Sequence, residues 1–248
     1  MDNHAQEQSG SDEQREQPGG GNRARADESA PAAGRAGIAA GGPAPRLVLA
    51  SQSPARLRLL RDAGFLPETV VSEIDESAYD AATPHELALT LAHAKAQVVA
   101  KRVGPGALVI GCDSVLDLDG VAYGKPSGPE QAAERWRQMR GKSGMLVTGH
   151  CLIDTREPAD GSPAANSVYI DAGVTLVRFS DVSDEEIDAY VATGEPLHVA
   201  GAFTLDGLGG SFVDSIAGDP SNVIGLSLPL LRRLLGEAGV RIQDLWAP

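Results

Sequence analysis

Aromatic side chains make up only 4% of the 248 residues, and cysteine is scarcer still, with two. Two cysteines cannot build the disulfide framework of a small secreted domain. Cys112 and Cys151 both stand in apolar, strand-like runs, so they are expected to be reduced, buried thiols of a cytoplasmic protein and not metal ligands. Basic residues are also few: 21 Lys and Arg against 34 Asp and Glu give a formal net charge of -13. That balance excludes a protein that coats a nucleic acid polymer, which needs an extended basic face to release counterions. A small anionic ligand stays open, because it needs only a local cluster of cations. No apolar run is long enough to span a membrane, and the N-terminus has no apolar signal core, so no membrane partner is expected.

What is present is 42% hydrophobic residues, enough for one large domain or two small ones. Residues 1–45 hold almost no large apolar side chain and are rich in Gly, Ala, Gln, Glu, Asp, Ser and Arg. Such a segment cannot offset the entropy of ordering, and it is expected to be a disordered tail ahead of a domain over 46–248.

The domain opens on its most informative stretch, Arg46 to Gly64. Leu47, Val48 and Leu49 form the apolar run of a buried parallel strand. Ser53-Pro54 then supplies a helix N-cap with proline at the first helical position, and Gly64 fits the left-handed residue that ends the helix. A strand that feeds a helix through Ala50-Ser51-Gln52-Ser53 gathers hydroxyls and unpaired N–H groups at one spot, with Arg56 one turn in. That spot suits a phosphate; the plainer reading is an ordinary strand-to-helix connection.

Glu68 to Ile74 is expected to be a second strand, closed by the carboxylates of Asp75 and Glu76. Thr83-Pro84-His85-Glu86 matches a capping box, and Leu87, Leu91, Ala94 and Val98 repeat at helical spacing as far as Lys101 or Arg102. Lys95 flanks that stripe, either with its ammonium aimed at a site or as a lysine snorkelling from a helix edge. Ala107 to Cys112 is an apolar strand that places Asp113 at its C-terminal edge, where open α/β sheets gather ligands. Asp119-Gly120 is a two-residue hairpin signal. It pairs Leu118 with Val121, Leu116 with Tyr123 and Ser114 with Lys125, which returns Lys125 to the neighbourhood of Asp113, as a catalytic pairing or a structural ion pair.

A third helix opens at Gly128-Pro129-Glu130 with Ala132, Ala133, Trp136 and Met139 inward. Met145 to Asp154 and Ser167 to Phe179 are expected to form an antiparallel ribbon joined by a polar loop over Thr155 to Asn166. Ser183 to Glu186 is a second capping box with Ile187, Tyr190 and Val191 as the buried face, stopped by Gly194. The glycine-dense stretch Gly201 to Gly218 and the following Asp219 to Gly225 are expected to be turns, either approaching a ligand or exposed as surface loops. Pro229 to Leu235 starts the last helix.

Taken in order, Leu-Ala-Ser51-Gln-Ser53-Pro54-Ala55-Arg56, Asp75-Glu76, Lys95-Ala96, Gly111-Cys112-Asp113-Ser114-Val115, Gly124-Lys125-Pro126, Arg140-Gly141, Thr148-Gly149, Ala200-Gly201 and Asn222-Val223-Ile224-Gly225-Leu226 resemble the Maf family of nucleoside triphosphate pyrophosphatases. The motifs cover almost all of residues 46–235, and their joint order makes the resemblance specific. It implies a mixed α/β fold, an elongated central mixed sheet flanked by helices with two lobes around a deep nucleotide cleft, related to the inosine triphosphatase-like house-cleaning enzymes. It implies hydrolysis of a nucleoside triphosphate between the α and β phosphates with a divalent cation, Mg²⁺ or Mn²⁺, and a homodimer. Asp113 is then the proton acceptor, with Lys125 and Lys95 beside it, Ser51, Ser53, Arg56 and Asp206 on the substrate, and Glu76 and Asp113 on the metal. These residue types agree with phosphoryl chemistry, which requires charge neutralisation and positioning, and with hard-cation binding, which requires carboxylate oxygens.

The departures fall on the base-reading side. Where two arginines, or an aromatic residue, usually follow the Ser-Pro, this chain has Ala55; where a glutamine commonly precedes a glycine, it has Asp206 before Gly207. Asp206 accepts a hydrogen bond but cannot donate one as glutamine does. Those two changes are the only support for the alternative, a nucleotide-binding regulator of cell division with weakened catalysis.

Overall fold

The computed structural model describes residues 45–157 and 166–247. The expected N-terminal tail, apart from Pro45, and most of the expected Thr155–Asn166 loop lie outside the described residues. The chain begins as the sequence suggests, with β1 (Arg46–Leu49) and α1 (Pro54–Asp62). Ser53 caps α1 through its hydroxyl, which accepts from the Arg56 N–H, and Gly64 takes a φ of 88° just past the helix.

The second strand is shorter than expected. Only β2 (Glu68–Thr69) pairs, because its partner β1 has four residues and the chain then turns away, with Glu73 at a φ of 55°. Glu76 therefore stands at the head of a 3₁₀ turn, Glu76–Ala78, capped by Asp75, and not at the end of a strand. Next come α2 (Pro84–Val103) and β3 (Ala107–Leu118). β3 continues well beyond Cys112, contrary to the sequence expectation, because β5 (Ser143–Asp154) pairs with it from Leu108 to Asp117. Asp113 is thus mid-strand.

β4 (Val121–Tyr123) returns from the Asp119-Gly120 turn and pairs Leu118 with Val121 and Leu116 with Tyr123 in the expected register. The pairing stops there instead of reaching Ser114 and Lys125. The Gly124 carbonyl is taken by Arg135 Nη1, at 2.6 Å, and by the Gly201 N–H, which draws the chain out of the ladder. α3 (Pro129–Met139) follows, and β6 (Ser167–Phe179) runs antiparallel to β5 along its whole length. α4 (Asp184–Ala192) begins with a reciprocal Ser183/Glu186 capping box. The glycine-dense stretch forms 3₁₀ turns and β7 (Val213–Ala217), and Asp219 caps the short helix α5 (Pro220–Ile224), where loops were expected. α6 (Leu228–Glu237) completes the helices.

The sheet is open and mixed, in the order β2-β1-β3-β5-β6-β7, with β4 paired to β3. β1 runs parallel to its neighbours and the other pairs are antiparallel. Since β5 holds one edge of β3 throughout, β1 and β4 must share the other. β1 covers it up to Ile110 and β4 resumes at Leu116, so Gly111–Val115 form a gap in the edge.

The core divides on the same line. At one end of the long strands, Leu49, Leu60, Leu108, Ile110, Leu231 and Leu234 pack α1 and α6 against one face, while Val48, Ala92, Ala96, Val109 and Ile153 pack α2 against the other. At the far end Leu116, Trp136, Phe179, Ile187 and Tyr190 form a separate core under α3 and α4. Most of the scarce aromatics gather there: Trp136 meets Phe179, Tyr190 and Phe212 edge-on at centroid distances of 5.7, 5.6 and 5.7 Å.

Candidate active site

The gap in the β3 edge is where the polar residues converge. Side chains alternate along β3, so Asp113 shares a face with Gly111, and both lie under α2. The helix rests on two glycines: a Cβ at Gly111 would meet the backbone of Ala92 and Ala96, and one at Gly149, the residue paired with Asp113, would meet the backbone of Ala88. That close approach carries Lys95 down to the sheet. Its Nζ lies 2.5 Å from Asp113 Oδ1 and 2.7 Å from Glu76 Oε1, so one ammonium bridges both carboxylates. The side chain that looked like a helix-edge lysine is buried, and its ammonium is paired with two carboxylates.

Burial is the main influence on Asp113 and raises its pKa above the ordinary carboxylate range. Lys95 and Arg56 pull it back, and the Glu76 charge adds to the rise. Glu76 goes the other way: partial burial would raise it, but Lys95, Lys125 and Arg56 together hold it below the usual value. Two carboxylates on one ammonium are thereby separated in basicity, with Asp113 the better proton acceptor. Lys125 is exposed, and its charge reaches the site through Glu76; the preceding residue, Gly124, is fixed by Arg135, which also stands 5.3 Å over the Tyr123 ring.

On the opposite face, the start of α1 is tied to the same gap. Arg56 is buried and donates from Nε to the Gly225 carbonyl at 2.6 Å, from Nη1 to Ser51 Oγ at 3.2 Å and from Nη2 to Ser114 Oγ at 3.0 Å. Ser114 Oγ lies 2.9 Å from Thr148 Oγ1, which donates to the Asn222 carbonyl at 2.9 Å. Ser51 Oγ also accepts from the Ser53 N–H, so its own hydrogen is left to donate elsewhere. Ser53 serves as the α1 cap.

The structure thus brings together Ser51, Ser53, Arg56, Glu76, Lys95 and Asp113, with Lys125 at the rim. Asp206 stands apart from them and pairs with Arg58 of α1. Ser114 and Thr148 were not singled out as site residues. A serine on the otherwise apolar face of β3 was the available signal; the pairing of Thr148 with it needs the β3–β5 register. Nothing local marked Arg58, whose partner is 148 residues away. The Arg140-Gly141 motif is a structural clamp, since Arg140 donates to Asp184 and to the Val182 carbonyl. A separate open groove of about 590 Å³ lies between α3 and α4; of its three charged residues, Arg137 and Asp188 pair with each other, which leaves Glu130.

A divalent cation would have two carboxylates to use. Lys95 occupies one oxygen of each, which leaves Asp113 Oδ2 and Glu76 Oε2, and Glu76 is half exposed. Among the described residues no group of three or more ligating side chains is brought together. A donor set of one or two carboxylates suits Mg²⁺, which keeps water and takes substrate phosphates as its remaining ligands.

An open α/β sheet that offers a buried carboxylate, a bridging ammonium and a capped helix start at one interrupted edge is a domain suited to a small polyanion. Comparison with known proteins narrows this: the chain belongs to the family described as Maf-like protein, which it matches over residues 46–238. It is 61% identical to a nucleoside triphosphate pyrophosphatase of Streptomyces coelicolor over 83% of this chain and 97% of that protein. It is 52% identical to one from Salinispora tropica, covering 82% of this chain and 88% of that protein, and 53% identical to one from a Cyanothece species, covering 81% and 99%.

Proposed function

We propose that the chain hydrolyses a nucleoside triphosphate at the α–β phosphoanhydride, releasing a nucleoside monophosphate and pyrophosphate. The observation that carries this reading is the Lys95 ammonium held between Asp113 and Glu76 in the β3 gap, with the Ser51–Arg56 turn tied to the same gap through Ser114. The names of the relatives support the same activity.

In the reaction, a water attacks the α phosphorus as the bond to the bridging oxygen breaks, and the pyrophosphate leaves with that oxygen. Asp113 accepts the proton of the attacking water, a role suited to a carboxyl that burial has made more basic. Lys95 fixes Asp113 in place and adds positive charge to the oxygens of the transition state, and Lys125 adds more from the rim. Ser51 donates its free hydroxyl hydrogen to a phosphate oxygen, and Ser53 keeps the positive end of α1 formed beside it. Arg56 acts as a buried fixed charge, since three of its five N–H groups are already engaged. Glu76, with Asp113, would hold a divalent cation, Mg²⁺ or Mn²⁺. When bound, that ion neutralises phosphate charge and polarises the attacked phosphorus.

This reading makes the chain a house-cleaning enzyme of the cytoplasm that removes unwanted nucleotides. Among the described residues no helix is long and apolar enough to cross a membrane. Assembly as a homodimer rests on family membership alone. Nothing observed favours the regulator alternative.

The test is pyrophosphate release from a panel of canonical and modified nucleoside triphosphates with Mg²⁺ or Mn²⁺. Asp113→Asn should lower kcat by at least about a hundredfold while nucleotide still binds. Full turnover in that variant would remove Asp113 from the chemistry, and no release from any nucleotide by the unaltered protein would sink the assignment.

A further inference from the structure

We propose that Thr148 is a positioning residue for the reaction: acting through Ser114, its hydroxyl fixes the orientation of the Arg56 guanidinium at the β3 gap. The inference rests on the nucleotide reading above, in which Arg56 supplies a fixed positive charge.

Each hydrogen bond in the link has only one possible direction. Thr148 Oγ1 is 2.9 Å from the Asn222 carbonyl oxygen, an acceptor only, so the single hydroxyl hydrogen of Thr148 is spent there. Across the β3–β5 pair, Ser114 Oγ lies 2.9 Å from the same Thr148 oxygen, and the hydrogen between them therefore comes from Ser114. With its hydrogen turned to Thr148, Ser114 presents lone pairs to Arg56 Nη2, 3.0 Å away. The chain runs one way, from the Arg56 N–H to Ser114, from Ser114 to Thr148 and from Thr148 to the Asn222 carbonyl.

Its far end is anchored. Thr148 is fully buried, and on its other side stands Gly173 of β6, where a Cβ would meet the Asn222 amide. That amide donates to the Leu146 carbonyl and to Thr175 Oγ1, each at 3.2 Å. The Gly225 carbonyl, which accepts from Arg56 Nε at 2.6 Å, belongs to the same turn, since the Gly225 N–H returns to the Asn222 carbonyl at 3.1 Å. One turn thus holds Arg56 from two directions, directly and through two hydroxyls. The two remaining guanidinium N–H groups, one on each terminal nitrogen, take the direction this frame imposes.

Folding alone gives little reason for the hydroxyl. Thr148 lies between Leu146 and His150 on one buried face of β5, where valine has the same shape, suits a strand and buries no polar atom. The Asn222 carbonyl keeps the Gly225 N–H when the hydroxyl is removed. What disappears is the acceptor for Ser114, which is only half-buried and can turn its hydrogen elsewhere, freeing Arg56 from one of its three contacts.

The experiment measures kcat, KM and melting temperature in the full chain carrying T148V, T148S, R56K or R56K/T148V, with the best nucleoside triphosphate of the panel above. T148V should lower kcat about tenfold with KM nearly unchanged, and T148S should restore it to within about threefold. In the R56K background T148V should change kcat by less than about twofold, because an ammonium has no plane to orient. Equal losses in T148V and T148S, no loss in T148V, or losses that multiply in the double variant overturn the proposal. If T148V loses its melting transition, Ser114→Ala breaks the chain one link nearer and is held to the same outcome in the R56K background. A second readout needs no turnover. In ¹⁵N spectra the Arg56 guanidinium signals, identified by their absence from R56K, should be separate in the unaltered protein and T148S and should merge in T148V as the group rotates. Unchanged signals in T148V overturn the positioning role. Failure of the unaltered protein to hydrolyse any nucleotide would remove the activity and leave the spectra to decide whether Thr148 orients Arg56.

Discussion

At the scale of single residues, the least conspicuous titratable group is the most constrained. His150 is fully buried beside Thr148; its Nδ1 lies 2.9 Å from the Thr148 carbonyl and its Nε2 accepts the Ser227 N–H at 2.7 Å, which requires the neutral ring protonated on Nδ1. Burial lowers its pKa from 6.5 to about 4. Because the folded value lies below the unfolded one, the stability it contributes is complete above about pH 6.5, falls as the pH drops toward 4, and changes no further below that. That window corresponds to about 3 kcal/mol. Denaturant titrations between pH 7 and 4 should therefore show a steeper loss for the unaltered protein than for His150→Gln; equal slopes would place the protonation elsewhere. The two cysteines are equally inert: burial pushes both thiols up to about 12, and Cys112 and Cys151 lie in cores on opposite faces of the sheet, so no disulfide can join them. Their reduced, buried state was legible in their apolar surroundings. The bridging role of Lys95 was only half legible, because the helical pattern placed it beside the stripe but could not say that the sheet face below held a carboxylate.

At the scale of elements, α2 and the strands beneath it form one device. The helix sits close enough to the sheet for Lys95 to reach Asp113 only because Gly111 and Gly149 offer no Cβ. Gly149→Ala places a methyl against the Ala88 backbone, which cannot rotate aside. It should destabilise the fold by roughly 1–3 kcal/mol and lower turnover with it, as α2 lifts and Lys95 withdraws. A differential scanning measurement beside an activity assay checks both; an unchanged melting temperature would show that the helix has room to spare. The sequence placed the longer helices well, since caps at Ser53, Thr83 and Ser183 and glycine stops at Gly64 and Gly194 are local signals, whereas the short α5 was missed. It misjudged strand lengths, at β2 and at β3, because a strand ends where its partner ends, and no partner is visible in a single run of residues.

At the scale of the whole molecule, the two cores share the same long strands. β3, β5 and β6, of 12, 12 and 13 residues, run through both, so neither core can lose its sheet face without disturbing the other. Leu234→Ala in the first core and Trp136→Ala in the second should each lower a single cooperative transition, by about 2–5 kcal/mol. Two separated transitions in either variant would mean that the ends unfold independently.

The gap between β1 and β4 has one more effect. The alternation that sends the Ile110 carbonyl to the Ala50 N–H sends the backbone groups of Cys112 and Ser114 the same way, into the opening. An unspent row of peptide groups normally invites another chain to add a strand and begin an aggregate. Here the row is short, roughly 17 Å at the usual rise per residue, and it is closed at both ends by strands of the same sheet. An invading strand has no room to lie down in such a slot, so the opening proposed above for substrate also keeps the sheet from polymerising along that edge.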